Sequence, residues 1–106
     1  MKKIIIPSQD QLRFILQQDI THCMSDNCYT TLFLTNSEEY VICKSLTKLA
    51  KELDPDLFIR VNQSYLVNKS YIKLIDKKKK IVELTIGKQI PFTTTISCLL
   101  RLMQSA

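Results

Sequence analysis

The 106 residues, 12.3 kDa in mass, suit a single domain, and a chain of this length can bury roughly two-thirds of the surface it exposes when unfolded. Hydrophobic residues make up 45% and charged residues 24%, with no low-complexity tract, which excludes a disordered or fibrous chain. The net charge of +5 is unevenly spread: residues 1–59 carry six basic and eight acidic side chains, a balance of −2, whereas residues 60–106 carry nine and two, a balance of +7.

The opening Lys2-Lys3-Ile4-Ile5-Ile6-Pro7 has the charge of a signal peptide, but its apolar stretch is three residues long and stops at proline. Nor does any apolar run approach the ~20 residues that span a bilayer, so neither secretion nor membrane insertion is expected. Leu12-Arg13-Phe14-Ile15-Leu16 fits a helix through Leu12, Ile15 and Leu16 and a strand through Leu12, Phe14 and Leu16; a strand is expected. Cys28 to Thr35 is aromatic and β-branched, Asn36-Ser37-Glu38-Glu39 makes a polar turn, and Tyr40-Val41-Ile42-Cys43 completes a hairpin. Leu46, Leu49, Ala50 and Leu53 then recur at helical spacing behind Ser45, a suitable N-cap, and the pattern ends at Asp54-Pro55.

The stretch Phe58-Ile59-Arg60-Val61-Asn62-Gln63-Ser64-Tyr65-Leu66-Val67-Asn68 breaks the expected strand alternation with a run of hydrogen-bonding side chains. It holds either a turn or a recognition surface. Beyond it, Tyr71 to Ile75 and Lys80 to Ile86 read as a second hairpin, closed by Gly87, the single glycine of the chain. Its turn carries Lys77-Lys78-Lys79-Lys80, read as a solvated tip that keeps sheet edges apart. Gln89 to Phe92 is a last short strand, confined to an edge by Pro91. Ile96, Leu99, Leu100 and Met103 form a final amphipathic helix behind Thr93, Thr94 and Thr95. The fold class is therefore mainly β with two short helices, built from antiparallel strands and hairpins. Leu32, Leu34, Val67, Ile72, Leu84 and Leu99 are the expected core.

Catalytic chemistry finds little support in these residues. One glycine cannot build a phosphate-cradling loop, and no carboxylate pair sits in an apolar strand, so neither an enzyme nor a cofactor is expected. His22 and Cys23 are adjacent, and adjacent strand residues point to opposite faces, which argues against a nucleophile and its base. Cys23, Cys28, Cys43 and Cys98 form no C-x-x-C pair and read as free thiols of a reducing cytoplasm. His22, Cys23 and Cys28 lack a second half-site of ligand spacing, so no metal site is expected. Arg60, Lys69, Lys73, Lys88 and Arg101 leave a basic face outside the lysine run, and a polyanion is expected as partner ahead of an acidic small substrate. Gln63, long and polar, is expected to be exposed, and Asn68 to close an Asx-type turn on neighbouring backbone. Ser64 could cap backbone or donate to a phosphate, and Arg60 and Lys69 could reach phosphates.

The order of elements resembles the LytTR DNA-binding domain of bacterial response regulators, over about residues 12–103. Its most specific part is F-x-R-V-x-x-S-Y-L-V-N-x-x-Y-I, matched by Phe58, Arg60, Val61, Ser64, Tyr65, Leu66, Val67, Asn68, Tyr71 and Ile72. The resemblance implies a domain that binds double-stranded DNA by placing loops, rather than a recognition helix, in successive major grooves. Its reading loops correspond to Asn27-Cys28, Asn62-Gln63 and Thr93-Thr94-Thr95, with Ser64, Arg60, Lys69 and Lys88 in support. Many members carry His-Arg or His-Asn where this chain has Asn62-Gln63, and commonly an arginine where it has Thr95.

A sequence-specific transcriptional regulator is thus the leading expectation, as a homodimer on repeated half-sites or beside another regulator. A degenerate member acting through protein contacts comes second, and a thiol or metal sensor third. At 106 residues the chain is expected to carry no receiver domain and hence no phosphorylation input.

Overall fold

The computed structural model describes residues 2–104. Five antiparallel strands make the central sheet: β3 (Ile20–Asp26), β4 (Tyr29–Leu34), β5 (Glu39–Ile42), β6 (Phe58–Arg60) and β7 (Tyr65–Asn68), in the order β5-β4-β3-β7-β6. A separate hairpin, β1 (Lys3–Ser8) with β2 (Gln11–Leu16), lies on one side. A three-stranded sheet of β8 (Ile72–Asp76), β9 (Ile81–Leu84) and β10 (Gln89–Pro91) follows later in the chain, in the order β10-β9-β8. Two helices, α1 (Leu46–Glu52) and α2 (Ile96–Gln104), complete the domain. The class expected from the residues, mainly antiparallel β with two short helices, is the one the chain adopts.

Two apolar cores sandwich the central sheet. The first joins Ile4, Ile6 and Ile15 of the β1–β2 hairpin to Leu46, Leu49 and Leu53 around α1, and to Cys23, Leu32, Phe58 and Leu66 from the sheet. The second joins Ile59 and Val67 of the sheet to Val82, Leu84 and Ile90 of the three-stranded sheet, with Phe92 and Leu99. Successive residues of β6 and β7 therefore point into different cores: Phe58 and Leu66 into the first, Ile59 and Val67 into the second. A strand buried on both faces has no reason to alternate apolar with polar.

Capping sets the helix boundaries. The Ser45 hydroxyl accepts from the Lys48 amide at 3.2 Å to start α1, and the Thr95 hydroxyl accepts from the Cys98 amide at 3.1 Å to start α2. Asn68, fully buried, accepts from the Ser70 amide at 2.9 Å and donates to the Ile20 carbonyl at 2.9 Å. It closes the expected turn and also ties β7 to the start of β3.

Some elements depart from the sequence reading. β1 was not recognisable as a strand, because its apolar run Ile4–Ile6 is followed at once by Pro7; the burial of β3 was not foreseen either, because it carries the polar residues Thr21 and His22. Of the six expected core residues, Leu32, Val67, Leu84 and Leu99 are buried, while Leu34 and Ile72 are only half-buried and pack at the core margins. Both pair across positions where strand register shifts, Leu34 opposite Ile20 and Ile72 opposite Leu84, and a bulge there turns the side chain partly outward. β9 is shorter than expected, since Lys80 adopts a left-handed backbone (φ 55°) and belongs to the turn.

Leu99 is fully enclosed in the second core. Leu99→Ala should lower unfolding stability by about 2–5 kcal/mol, read by chemical denaturation, with the β-dominated circular dichroism of the folded state retained.

Candidate nucleic-acid interface

Three loops from distant parts of the chain converge at one end of the central sheet. Asn27-Cys28 forms the tight turn between β3 and β4, closed by the Asp26–Tyr29 pair, with Asn27 left-handed at φ 57°. Beside it, the Ser25 amide donates to the Ser64 carbonyl at 2.8 Å, which sets the β6–β7 loop against the β3–β4 turn. On the other flank the Thr93 amide donates to the Val61 carbonyl at 2.9 Å, bringing in the lead to α2. The residues expected to act together are therefore adjacent, although up to 68 positions separate Asn27 from Thr95.

Asn62 organises this loop. Its Oδ1 accepts from the amides of Ser64 (2.7 Å) and Tyr65 (2.9 Å), and its Nδ2 donates to the Pro91 carbonyl at 2.5 Å. Arg60 closes the loop from the other side: Nε donates to the Asn62 carbonyl at 2.9 Å, Nη2 to the Gln63 carbonyl at 2.7 Å and Nη1 to the Thr47 hydroxyl at 3.3 Å. Asn62 was expected in a reading loop, and in that loop its amide is committed to scaffolding. Its neighbour Gln63 is exposed, with its backbone held and its side chain free of these bonds. Three of the five guanidinium donors of Arg60 are used internally, leaving two for an anion.

The remaining expected residues divide by position. Ser64 and Thr93 are exposed on the loops, and Thr95 is spent on capping α2. Lys88 reaches across from the β9–β10 turn, its ammonium 5.8 Å from the centre of the Tyr65 ring, a cation–π contact that parks a positive charge beside the loop. Lys69 lies at the opposite end of β7, about 15 Å along the strand from Ser64, where its ammonium donates to the Leu102 carbonyl at 3.0 Å. It stands outside the loop cluster.

Other groups at this end went unread in the sequence. Thr47 and Lys48 lie in the first turn of α1, and Lys44 follows β5, which pairs with β4 next to the Asn27-Cys28 turn. A shallow cavity of about 310 Å³ is lined there by Cys28, Cys43, Lys44, Ser45 and Lys48. These lysines belong to the half of the chain whose net charge is negative, so a charge count along the sequence conceals them. Lys44 is paired with Glu52; Lys48 is exposed.

Further along β3, towards the β4–β5 turn, Thr21 and His22 are buried polar residues. His22 stacks on Phe33 with ring centres 4.3 Å apart and planes 3° apart, and its Nδ1 is 2.9 Å from the Thr21 hydroxyl. That hydroxyl has one proton, which goes to the Phe33 carbonyl at 3.1 Å, so Nδ1 is the protonated nitrogen of a neutral ring. Burial first, and the nearby Lys88 ammonium second, lower the His22 pKa from 6.5 to about 4. Cys23 points the other way, into the first core, where burial pushes its thiol up to about 12. A thiol held so firmly protonated is a poor nucleophile and a poor metal ligand. Among the described residues, no three His, Cys, Asp or Glu side chains come together in a metal-binding group, and no helix is long and apolar enough to cross a membrane.

A mainly β domain that gathers three loops and a basic fringe at one end of its sheet presents a single surface suited to a polyanion. Residues 10–103 match the LytTr DNA-binding domain family, and the chain belongs to that family. Among individual proteins, it is similar to the transcriptional regulatory protein LytR of Staphylococcus aureus strains N315 and MW2, at 32% identity over 68 residues in each case. The aligned part is 64% of this chain and 27% of LytR, so the chain spans about a quarter of the length of those relatives. Its fold is that of a LytTr DNA-binding domain from Bacillus cereus, with a TM-score of 0.77 over 100% of this chain and 99% of that one, at 17% identity.

The neutral, buried His22 makes stability depend on pH. The folded value lies below the unfolded one, so the contribution is fully present above about pH 6.5 and is lost as pH falls towards about 4. Denaturant titrations across that window should show wild-type stability falling by of the order of 1 kcal/mol per pH unit, after allowing for partial solvent screening. His22→Gln, with no proton to take up, should be less stable at neutral pH but flatter between pH 6.5 and 5.

Proposed function

We propose that the domain is a sequence-specific transcriptional regulator that binds double-stranded DNA by setting its loops into the major groove, with Gln63 as the principal base-reading side chain. One observation carries this reading: the Asn62 amide and the Arg60 guanidinium fix the backbone on both sides of Gln63 and leave its side chain exposed. A loop ordered in advance loses little conformational entropy on binding, so a single polar side chain on it can discriminate between bases.

The groups around Gln63 suit complementary tasks. Lys48, Lys88 and the two spare donors of Arg60 would neutralise phosphates and fix the register on the duplex without reading sequence. Ser64, Thr93 and the turn at Asn27-Cys28 flank Gln63 and fill the groove on either side. Thr95 contributes by holding the start of α2. Lys69, across the domain, is left to its carbonyl contact with α2.

Gln63 presents a donor and an acceptor that match the N6 and N7 edge of adenine, and an arginine there would suit guanine instead. In a selection from randomised duplexes, Gln63→Ala should relax the choice at one base pair, by about 1–3 kcal/mol, and leave non-specific binding nearly unchanged. Gln63→Arg should move that choice towards guanine and tighten non-specific binding. Identical sites and stringency for all three proteins would remove Gln63 from the reading surface.

A second reading, a module that acts through protein contacts with another copy or another regulator, draws on one observation. The outer face of the β1–β2 hairpin exposes Ile5, Leu12 and Phe14, 52%, 63% and 63% accessible. Polarisation measurements on random duplex at two salt concentrations separate the two readings. DNA binding should weaken steeply with salt through counterion release, whereas a folded protein indifferent to duplex at low salt is a protein-contact module.

A further inference from the structure

The run Lys77-Lys78-Lys79-Lys80 is not where an edge-protecting role needs it. The open edges of its sheet are β8 and β10, and all four lysines lie instead in the turn that joins β8 to β9. That turn sits against the loop cluster. The Phe92 amide donates to the Lys80 carbonyl at 3.0 Å, Ile81 pairs with Pro91, and the Pro91 carbonyl accepts from Asn62. A continuous chain of backbone contacts thus links the lysine tip to the lead of α2 on one side and to the Gln63 loop on the other.

The tip has a defined shape. Asp76 Oδ1 accepts from the amides of Lys78 (3.0 Å) and Lys79 (2.9 Å), and Lys80 turns left-handed to rejoin β9. Its one carboxylate is therefore occupied with backbone. All four lysines are exposed, and among the described residues none of their ammonium groups forms an ion pair. The nearest acid along β9, Glu83, is shared between Lys73 and Gln89.

We propose that Lys77–Lys80 is a phosphate-binding tip that grips the DNA backbone beyond the bases read by Gln63, on the side of the duplex next to Thr93–Thr95. This rests on the domain being a DNA binder and adds a direction to it. Duplex DNA offers one phosphate charge per ~1.7 Å of axis, dense enough for several ammonium groups on one turn to be neutralised together. The tip supplies affinity and orientation along the duplex, and Gln63 supplies selection.

The test uses polarisation across a salt series with the selected site, comparing wild type with a variant combining Lys77→Ala, Lys78→Ala, Lys79→Ala and Lys80→Asn. Asparagine suits the left-handed position. A second variant with all four changed to arginine keeps the charge. The alanine–asparagine variant should lose about two to four units of salt slope, so that its affinity drop between ~50 and ~200 mM salt is roughly 15- to 250-fold smaller than that of wild type. Its base preference should be unchanged, and the arginine variant should keep the wild-type slope. Trimming the duplex from one end should abolish the difference between wild type and variant, and trimming from the other end should not. An unchanged slope with wild type binding normally would overturn the tip alone, as would equal sensitivity to trimming at both ends. Failure of wild type to bind duplex at any salt would overturn the DNA-binding reading and the tip with it.

Discussion

β7 has no solvent face. Leu66 enters one core and Val67 the other, and the strand is hydrogen-bonded along both edges, to β3 and to β6. Such a strand can meet water only at its ends, and at each end an asparagine satisfies the backbone where the ladder stops. Asn62 collects the amides of Ser64 and Tyr65 as β7 begins, and Asn68 collects the amide of Ser70 as it finishes. Each of these hydrogen bonds adds a modest net stabilisation, about 0.5–1.5 kcal/mol, and together they fix where the strand begins and ends.

The same two residues connect the layers. Asn68 reaches the start of β3 through the Ile20 carbonyl, while Asn62 reaches β10 through the Pro91 carbonyl. Through Asn62 the three-stranded sheet is referenced to the central one at the point where the proposed reading loop emerges. The stiffness of that loop is thus a by-product of closing a doubly buried strand, and Arg60 adds to it by bonding two carbonyls on the same short segment. A polar side chain on a stiff frame can be selective with few contacts.

Electrostatics follow the fold rather than the order of the chain. Lys48 of α1, Lys88 of the β9–β10 turn and the lysine tip of the β8–β9 turn all border the loop cluster, although the first comes from the half whose net charge is −2. Behind them His22 is kept neutral by burial and by the Lys88 charge. Protonating it would place a second cation under the first. The domain therefore keeps its positive charge on the outer surface, where a polyanion can reach it, and excludes it from the layer beneath.

Much of the fold was readable from local pattern. Helical spacing behind Ser45 and behind the threonines, the β-branched runs of β4 and β9, and the Phe58–Ile72 motif each declare themselves within a dozen residues, because helix and strand periods are set by neighbours along the chain. Gln63 was legible as an exposed residue for the same reason. The buried polar face of β3 was not, since Thr21 and His22 look like solvent-facing residues until Phe33 and its carbonyl are known to lie against them. Nor was the division of labour between Asn62 and Gln63: adjacent polar residues differ only in that Pro91, 29 positions away, takes the hydrogen bond of one of them. Preference for water and structural period belong to each residue and its near neighbours, and both are legible along the chain. Tertiary structure alone decided which polar groups were consumed in holding the chain together and which were left for a partner, because a hydrogen bond's second half can come from anywhere in the fold.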